Sequence, residues 1–432
     1  MKQKVILLGL NELNFDYIKH YIIQGLLPNF KNIFEDYQCT ETSSEKEYKL
    51  LEPWIQWLTI CTGKDYSEHN VFRLGDIVKR KDLKQIFEVI EEKGLTVGAV
   101  SPFNIDNRLK DPKFFVPDPW TQTTASGENF VKKVSKAVSQ AVNDNAKDSL
   151  SKKSILSILK TYLKVVPLSV YNQYLKLASK IKSKVGIKAV ILDKLLGDLF
   201  LQQWKKHQPD FSNLFLNTGA HFQHHYMFNS AAYRGDLSNP DWYCPKNQDP
   251  LLVILREYDK IIGDILKLDV RLIIATGLHQ KPHSHNTFYW RLKQHEIFLE
   301  KIGMKKIKKV TPRMSRDFLI EFENENDALE AQKLLNTYKS EKDQIAIFTI
   351  DNRQDSLFVE LTYPNEIKKG FNITGAVNVN EFNEYIAFVA IKNGEHDGIG
   401  YYIDTNEKIT NEAKDIIPLK NVYNKILEAV SN

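Results

Sequence analysis

The chain has 432 residues, 42% apolar and 26% charged, which is length for two or three domains and excludes disordered, collagen-like and coiled-coil classes. Its net charge of +5 hides an asymmetry: residues 131–206 hold sixteen lysines, no arginine and four acids, a net +12 that leaves about −7 for the remainder. Such a block attracts an anionic membrane surface or another polyanion, while the lack of arginine forks argues against specific nucleic-acid binding.

In chain order, Lys4 to Leu10 is a short apolar run closed by a polar turn, the pattern of a buried parallel strand. It is too short for a signal peptide and has no small-residue cleavage site after it, and no run reaches the roughly 20 apolar residues of a membrane span. Phe15, Ile18, Tyr21 and Ile22 follow at helical spacing, and Leu27-Pro28 starts a second helix. Pro53 opens a Trp- and Leu-rich helix that stops at Gly63. Asp82 to Lys93 reads as an amphipathic helix with Asp82 as its N-cap, and Thr96 to Ser101 as the next strand.

From residue 128 the pattern becomes helical, with Ile155, Leu159, Tyr162 and Val166 in one stripe ended by Pro167. Strands return at Leu214–Asn217 and Arg271–Ala275, with an amphipathic helix between them. A small α+β pattern follows: strands at Asp317–Phe322, Gln344–Ile350 and Ser356–Leu361, with a helix at Asp327–Tyr338. The alternation predicts an α/β fold, a doubly wound, mostly parallel sheet with a helical insertion and a small α+β insertion. The expected division is 1–127 and 209–309 as core, 128–208 as a basic helical cap, 310–375 as the α+β insertion and 376–432 as the end of the core. Three scattered cysteines, Cys39, Cys61 and Cys244, form no disulfide or metal pattern, so a cytoplasmic protein is expected, at the inner membrane face where the lysine block engages lipid.

Open α/β sheets bind ligands beyond the carboxyl ends of their strands. Three such ends carry unusual polar residues: Asn11-Glu12, then His221, His224 and His225, then His279, Lys281, His283 and His285. Six of the eleven histidines fall in the last two segments. Imidazoles so clustered suit one divalent metal such as zinc or manganese, orientation of an anionic substrate, or acid–base work.

The stretch from Val5 to Asp16 with Gly25 to Ile33, the Trp57 to Gly63 segment with Ser67 to Asn70, and Glu395-His396-Asp397-Gly398 resemble the alkaline phosphatase superfamily. They are most similar to its type I phosphodiesterase and nucleotide pyrophosphatase branch. That resemblance implies an alkaline-phosphatase-like sheet and two metal ions held by an aspartate after the first strand, a Ser or Thr nucleophile, an Asp-x-x-x-His, an Asp-His pair and a late histidine. Here those positions read Asn11, Pro53 or Trp54, Ala220 with His224, Gly277-Leu278 and His396, so only His224 and His396 match as metal ligands. The family's two-metal phospho-threonine route is therefore not expected.

Two readings remain open. In one, the site is rebuilt as an enzyme: His224 and His396 hold one metal with a third group from His221, His279 or Glu12. Glu12, His221 and His279 serve as catalytic groups there, and Asn11, Glu52, Trp54, Arg73, Lys281 and His283 meet a sugar-phosphate or glycan-type substrate. In the other, the fold is an inactive binding or scaffolding module. The run Glu45 to Trp57 ahead of Arg73-Leu-Gly-Asp76 also resembles phosphodiesterase-like proteins of bacterial surface-polysaccharide clusters. Trp54 and Trp57, at i and i+3, suit either sugar stacking or core packing.

Overall fold

Alternation along the first strand, Lys4–Leu10, sends Ile6, Leu8 and Leu10 into one apolar core and Val5 and Leu7 into another. A strand buried on both faces needs helices on both sides, and the computed structural model shows them. It describes residues 3–146, 170–313, 316–410 and 415–431. The expected stripe of Ile155, Leu159, Tyr162 and Val166 lies outside the described residues.

The chain divides into two compact units, Met1–Pro282 with Gly394–Asn432, and His283–Asn393. The first is built on an eight-stranded sheet in the order Ile417–Pro418, Tyr37–Ser43, Ile399–Lys408, Val270–Ala275, Lys4–Leu10, Phe211–Leu216, Val97–Val100, Phe114–Val116. All neighbours run parallel except Ile399–Lys408, which is antiparallel to both of its partners. The sheet is thus a mixed, mostly parallel α/β sheet.

One face is covered by helices that include Phe15–Ile23, Pro28–Asp36, Asn129–Ala146, Ile187–His207 and Pro250–Leu266. The other is covered by Pro53–Thr62, Ile86–Glu92 and Asn421–Ser431. The second unit has its own core around an antiparallel four-stranded sheet, Phe348–Asn352, Ser356–Leu361, Asp317–Phe322 and Ile307–Pro312, with helix Glu325–Asn336. No helix among the described residues is long and apolar enough to cross a membrane.

Register brings three strand ends level. Leu10 pairs with Leu216 and Gly9 with Ala275, so the chain leaves adjacent strands at Asn11, Asn217 and Thr276. Helix Pro53–Thr62 starts on Pro53 and ends on Gly63 at φ +68°, a left-handed position that favours glycine.

One expectation is corrected. Asp82 is no N-cap: the helix starts later, at Ile86, where Gln85 and Glu88 form a reciprocal cap, and Asp82 pairs with Arg80 at 2.7 Å. The histidine-bearing segment after Ala275 begins a 14-residue strand, His279–Leu292, to which the sequence pattern assigns no element. Polar residues concealed that strand, as they did Tyr37–Ser43.

A remote carboxylate fixes one helix of the first unit. Asp259, 4% exposed, accepts from the backbone N–H groups of Asn29 and Phe30 at 2.9 and 2.8 Å and from the Asn29 amide at 2.9 Å. It caps the start of Pro28–Asp36, where Leu27 provides no side-chain cap. Asp259→Ala is expected to lower unfolding free energy by about 2–3 kcal/mol in urea denaturation, the scale of hydrogen bonds to a buried charge.

Candidate metal centre

The site is assembled from the three level strand ends. After Leu10 the chain turns sharply, with Glu12 at φ +57° and its N–H donated to the Thr276 carbonyl at 3.1 Å. That left-handed step, uncommon for a residue with a side chain, turns the Glu12 carboxylate inward, where it is 2% exposed.

Its Oε2 lies 3.0 Å from His224 Nε2 and 3.1 Å from His396 Nε2, and those two nitrogens are 3.2 Å apart. Burial acts to raise the Glu12 carboxyl's pKa, but the charges and hydrogen bonds of the two imidazoles outweigh it and hold the group well below the usual carboxylate range. Ligands at about 2.0–2.1 Å in a tetrahedron are spaced about 3.3 Å apart, so this triangle has the dimensions of three corners around one zinc-sized ion. Two imidazoles and a carboxylate are also the donor set of three-ligand sites that keep a position open for water or substrate.

The surrounding hydrogen bonds orient the three groups. Asn11 Nδ2 donates to Glu12 Oε1 at 2.8 Å and Gln280 Nε2 to Oε2 at 2.5 Å. The Asn11 amide is itself set by Trp57, whose indole N–H, a donor only, reaches Asn11 Oδ1 at 2.7 Å, so the NH2 must face Glu12 and Asn217 Oδ1. Gly9 admits the Trp57 ring: a Cβ there would lie 2.8 Å from it. An aspartate at position 11 would oppose Glu12 acceptor to acceptor, a physical reason for asparagine here.

On the histidine side, His224 Nδ1 lies 3.4 Å from the Gly394 carbonyl, which accepts only and therefore leaves Nε2 unprotonated toward Glu12 when the ring is neutral. His224 rides on helix Thr218–Tyr226, which is anchored at its start by a buried network. Asp193 accepts from the Thr218 N–H at 2.8 Å and the Tyr258 hydroxyl at 2.5 Å, and Gly219 N–H donates to the same hydroxyl at 2.9 Å. Burial pushes the Asp193 carboxyl up. One residue before His224, Gln223 donates to the Glu12 carbonyl at 2.6 Å and accepts from Asn14 N–H at 2.9 Å.

The other residues singled out from sequence lie elsewhere. His221 is exposed and stacks edge-on against His225, ring centroids 4.7 Å apart. His279 donates Nδ1–H to the Ile399 carbonyl at 2.6 Å and lies beside Tyr401. Neither belongs to the triad, which is the one such group of three potential ligands among the described residues. Lys281 is drawn to Asp397 at 3.4 Å and Glu395 at 3.9 Å. Trp54 donates its indole N–H to the Phe72 carbonyl at 2.9 Å, Arg73 is exposed, and Glu52 is half-buried at the start of helix Pro53–Thr62. His283 belongs to the second unit, 3.2 Å from Thr287 Oγ1.

Gln280, Gln223 and Asn217 were not singled out. A strand alternates its side chains, so Gln280, fully buried, turns toward Glu12 while His279 turns away. Recognising His279–Leu292 as a strand would have shown it.

No family model matches the sequence, and no curated protein matches it. Among solved structures, the chain is similar to phosphonoacetate hydrolase from Sinorhizobium meliloti, with TM-score 0.48, 11% identity, and 100% of this chain and 95% of that one covered. It is also similar to human ectonucleotide pyrophosphatase/phosphodiesterase 5, with TM-score 0.47, 10% identity, and 99% and 95% covered. A third is alkaline phosphatase from the Antarctic bacterium TAB5, with TM-score 0.41, 11% identity, and 100% and 99% covered.

Gln280→Ala removes the donor to Glu12 Oε2 while leaving all three ligand side chains in place. Zinc titration by calorimetry is expected to show affinity about 10- to 100-fold weaker, with the circular dichroism spectrum unchanged.

Proposed function

We propose that this chain is a single-metal enzyme of phosphoryl transfer, a hydrolase or transferase that works without a phosphorylated side chain. The observation that carries the reading is the triangle of Glu12, His224 and His396, with sides of 3.0–3.2 Å, at the carboxyl ends of adjacent parallel strands. A divalent cation such as zinc or manganese, bound there, supplies Lewis-acid polarisation of a phosphoryl oxygen and acidification of a water.

The chain's own residues do the rest. Asn11 and Gln280 hold Glu12 ionised and oriented, Trp57 locks Asn11, and the Gly394 carbonyl sets the His224 tautomer. Where the resemblance places the attacking hydroxyl stand Pro53, with no donor, and Trp54, whose N–H is engaged by Phe72. Attack therefore comes from water or from the hydroxyl of an acceptor substrate, in one displacement.

The phosphoryl chemistry rests on the sequence resemblance together with the metal geometry. The finer reading, a phosphorylated or otherwise anionic sugar in bacterial surface-polysaccharide assembly, rests on the Glu45 to Trp57 and Arg73 to Asp76 segments. Buried free thiols at Cys61 and Cys244 suit a reducing cytoplasm.

Protein loaded with zinc or manganese is assayed on nitrophenyl phosphate mono- and diesters and on nucleotide sugars. Turnover of at least one class is expected, with Glu12→Gln lowering kcat/KM about 100-fold or more. Acid quenching with labelled substrate is expected to leave no label on protein. Labelled protein, or full activity in Glu12→Gln, would overturn the reading, and binding of sugar phosphates without turnover would favour a scaffolding role.

A further inference from the structure

Between Tyr171 and Leu192 the chain carries five lysines, Lys176, Lys180, Lys182, Lys184 and Lys188, and no acid. All five are exposed, and none is in an ion pair with a described residue. Elsewhere on the surface many lysines sit beside carboxylates, as Lys19 does with Asp16 and Lys267 with Asp264. The same stretch presents two large apolar side chains to solvent, Leu175 at 63% and Ile181 at 38% exposure. Helix Tyr171–Ala178 has its own inward residues, Tyr174 and Leu177, so Leu175 and Lys176 lie on the side left over after packing.

Lysines without ion-pair partners alone fit any polyanion. Apolar side chains among the lysines add a second requirement, a partner with an apolar layer directly beneath its anionic surface. A nucleic-acid backbone gives Leu175 and Ile181 nothing to enter, and the absence of arginine removes the forks that phosphodiesters favour. A bilayer of anionic lipid satisfies both: flexible lysine stems lie along the interface with their ammonium groups at the headgroups.

We propose that the surface around Leu175–Lys188 docks the protein peripherally on an anionic membrane, with Leu175 and Ile181 entering the acyl boundary and the five lysines meeting lipid phosphates. The proposal is independent of the metal triad and of the reaction assigned to it.

Co-sedimentation of the full chain with phosphatidylcholine vesicles, alone or with roughly 30% phosphatidylglycerol, tests it. At least about tenfold stronger binding to the anionic vesicles is expected, falling about tenfold or more as salt rises from roughly 0.05 to 0.5 M. Leu175→Ser with Ile181→Ser is expected to weaken anionic-vesicle binding about tenfold, and replacing Lys176, Lys180, Lys182 and Lys184 by serine to abolish it. Thermal melts monitor the fold of each variant, and the wild-type lipid and salt series decides the matter if a variant unfolds. Equal binding to neutral vesicles, or none to either, would overturn the proposal. So would unchanged vesicle binding by the folded Leu175/Ile181 variant; heparin or RNA competing equally in wild type and that variant would then assign a polyanion site.

Discussion

A carboxylate taken out of water must be repaid in charge and hydrogen bonds, and the candidate site is organised around that demand at Glu12. The residue is 2% exposed and ionised, facing two imidazoles and receiving Asn11 and Gln280. Those groups come from separate parts of the chain, brought level by the parallel register of Lys4–Leu10 with Phe211–Leu216 and Val270–Ala275. A slip of one residue in that register would turn alternating side chains to the opposite face and misalign these donors.

Set beside the pattern that the sequence resembles, the residues of this site form a consistent set. Asn11 gives up a charge but gains the donor that Glu12 needs. At position 220, where the pattern has an aspartate, stands a buried alanine whose backbone carbonyl accepts from Gln280 at 3.0 Å. Gly277, at φ +75°, has Trp57 Nε1 only 3.2 Å from where a Cβ would be, so an aspartate there would meet both backbone strain and the indole. Trp57 and Gln280, which hold Asn11 and Glu12, thus also lie against Gly277 and Ala220, two positions where the resemblance would call for further ligands.

Sequence alone revealed the elements whose burial leaves a pattern. Lys4–Leu10 and the helix from Pro53 to Gly63 were legible because apolar runs, Pro and Gly carry direct physical signatures. Tyr37–Ser43 and His279–Leu292 were not, since polar strands lack apolar alternation. The same limit governed the site. Histidine clustering and the late His396 pointed to the strand ends where the triad lies, but a helix places His224 inward and His221 outward according to packing that sequence does not contain. Glu12 was visible as a candidate, whereas its place as the third corner follows from a left-handed backbone step. Gln280, chemically bland in sequence, matters through the parity of its strand.

Metal stoichiometry tests the central claim most directly. Protein purified without chelator, supplemented with zinc or manganese and desalted, is measured by elemental analysis alongside Glu12→Gln, His224→Ala and His396→Ala. About one ion per wild-type chain is expected, lost in all three folded variants. Wild-type protein that retains no metal, or keeps it undiminished in those variants, would contradict that claim.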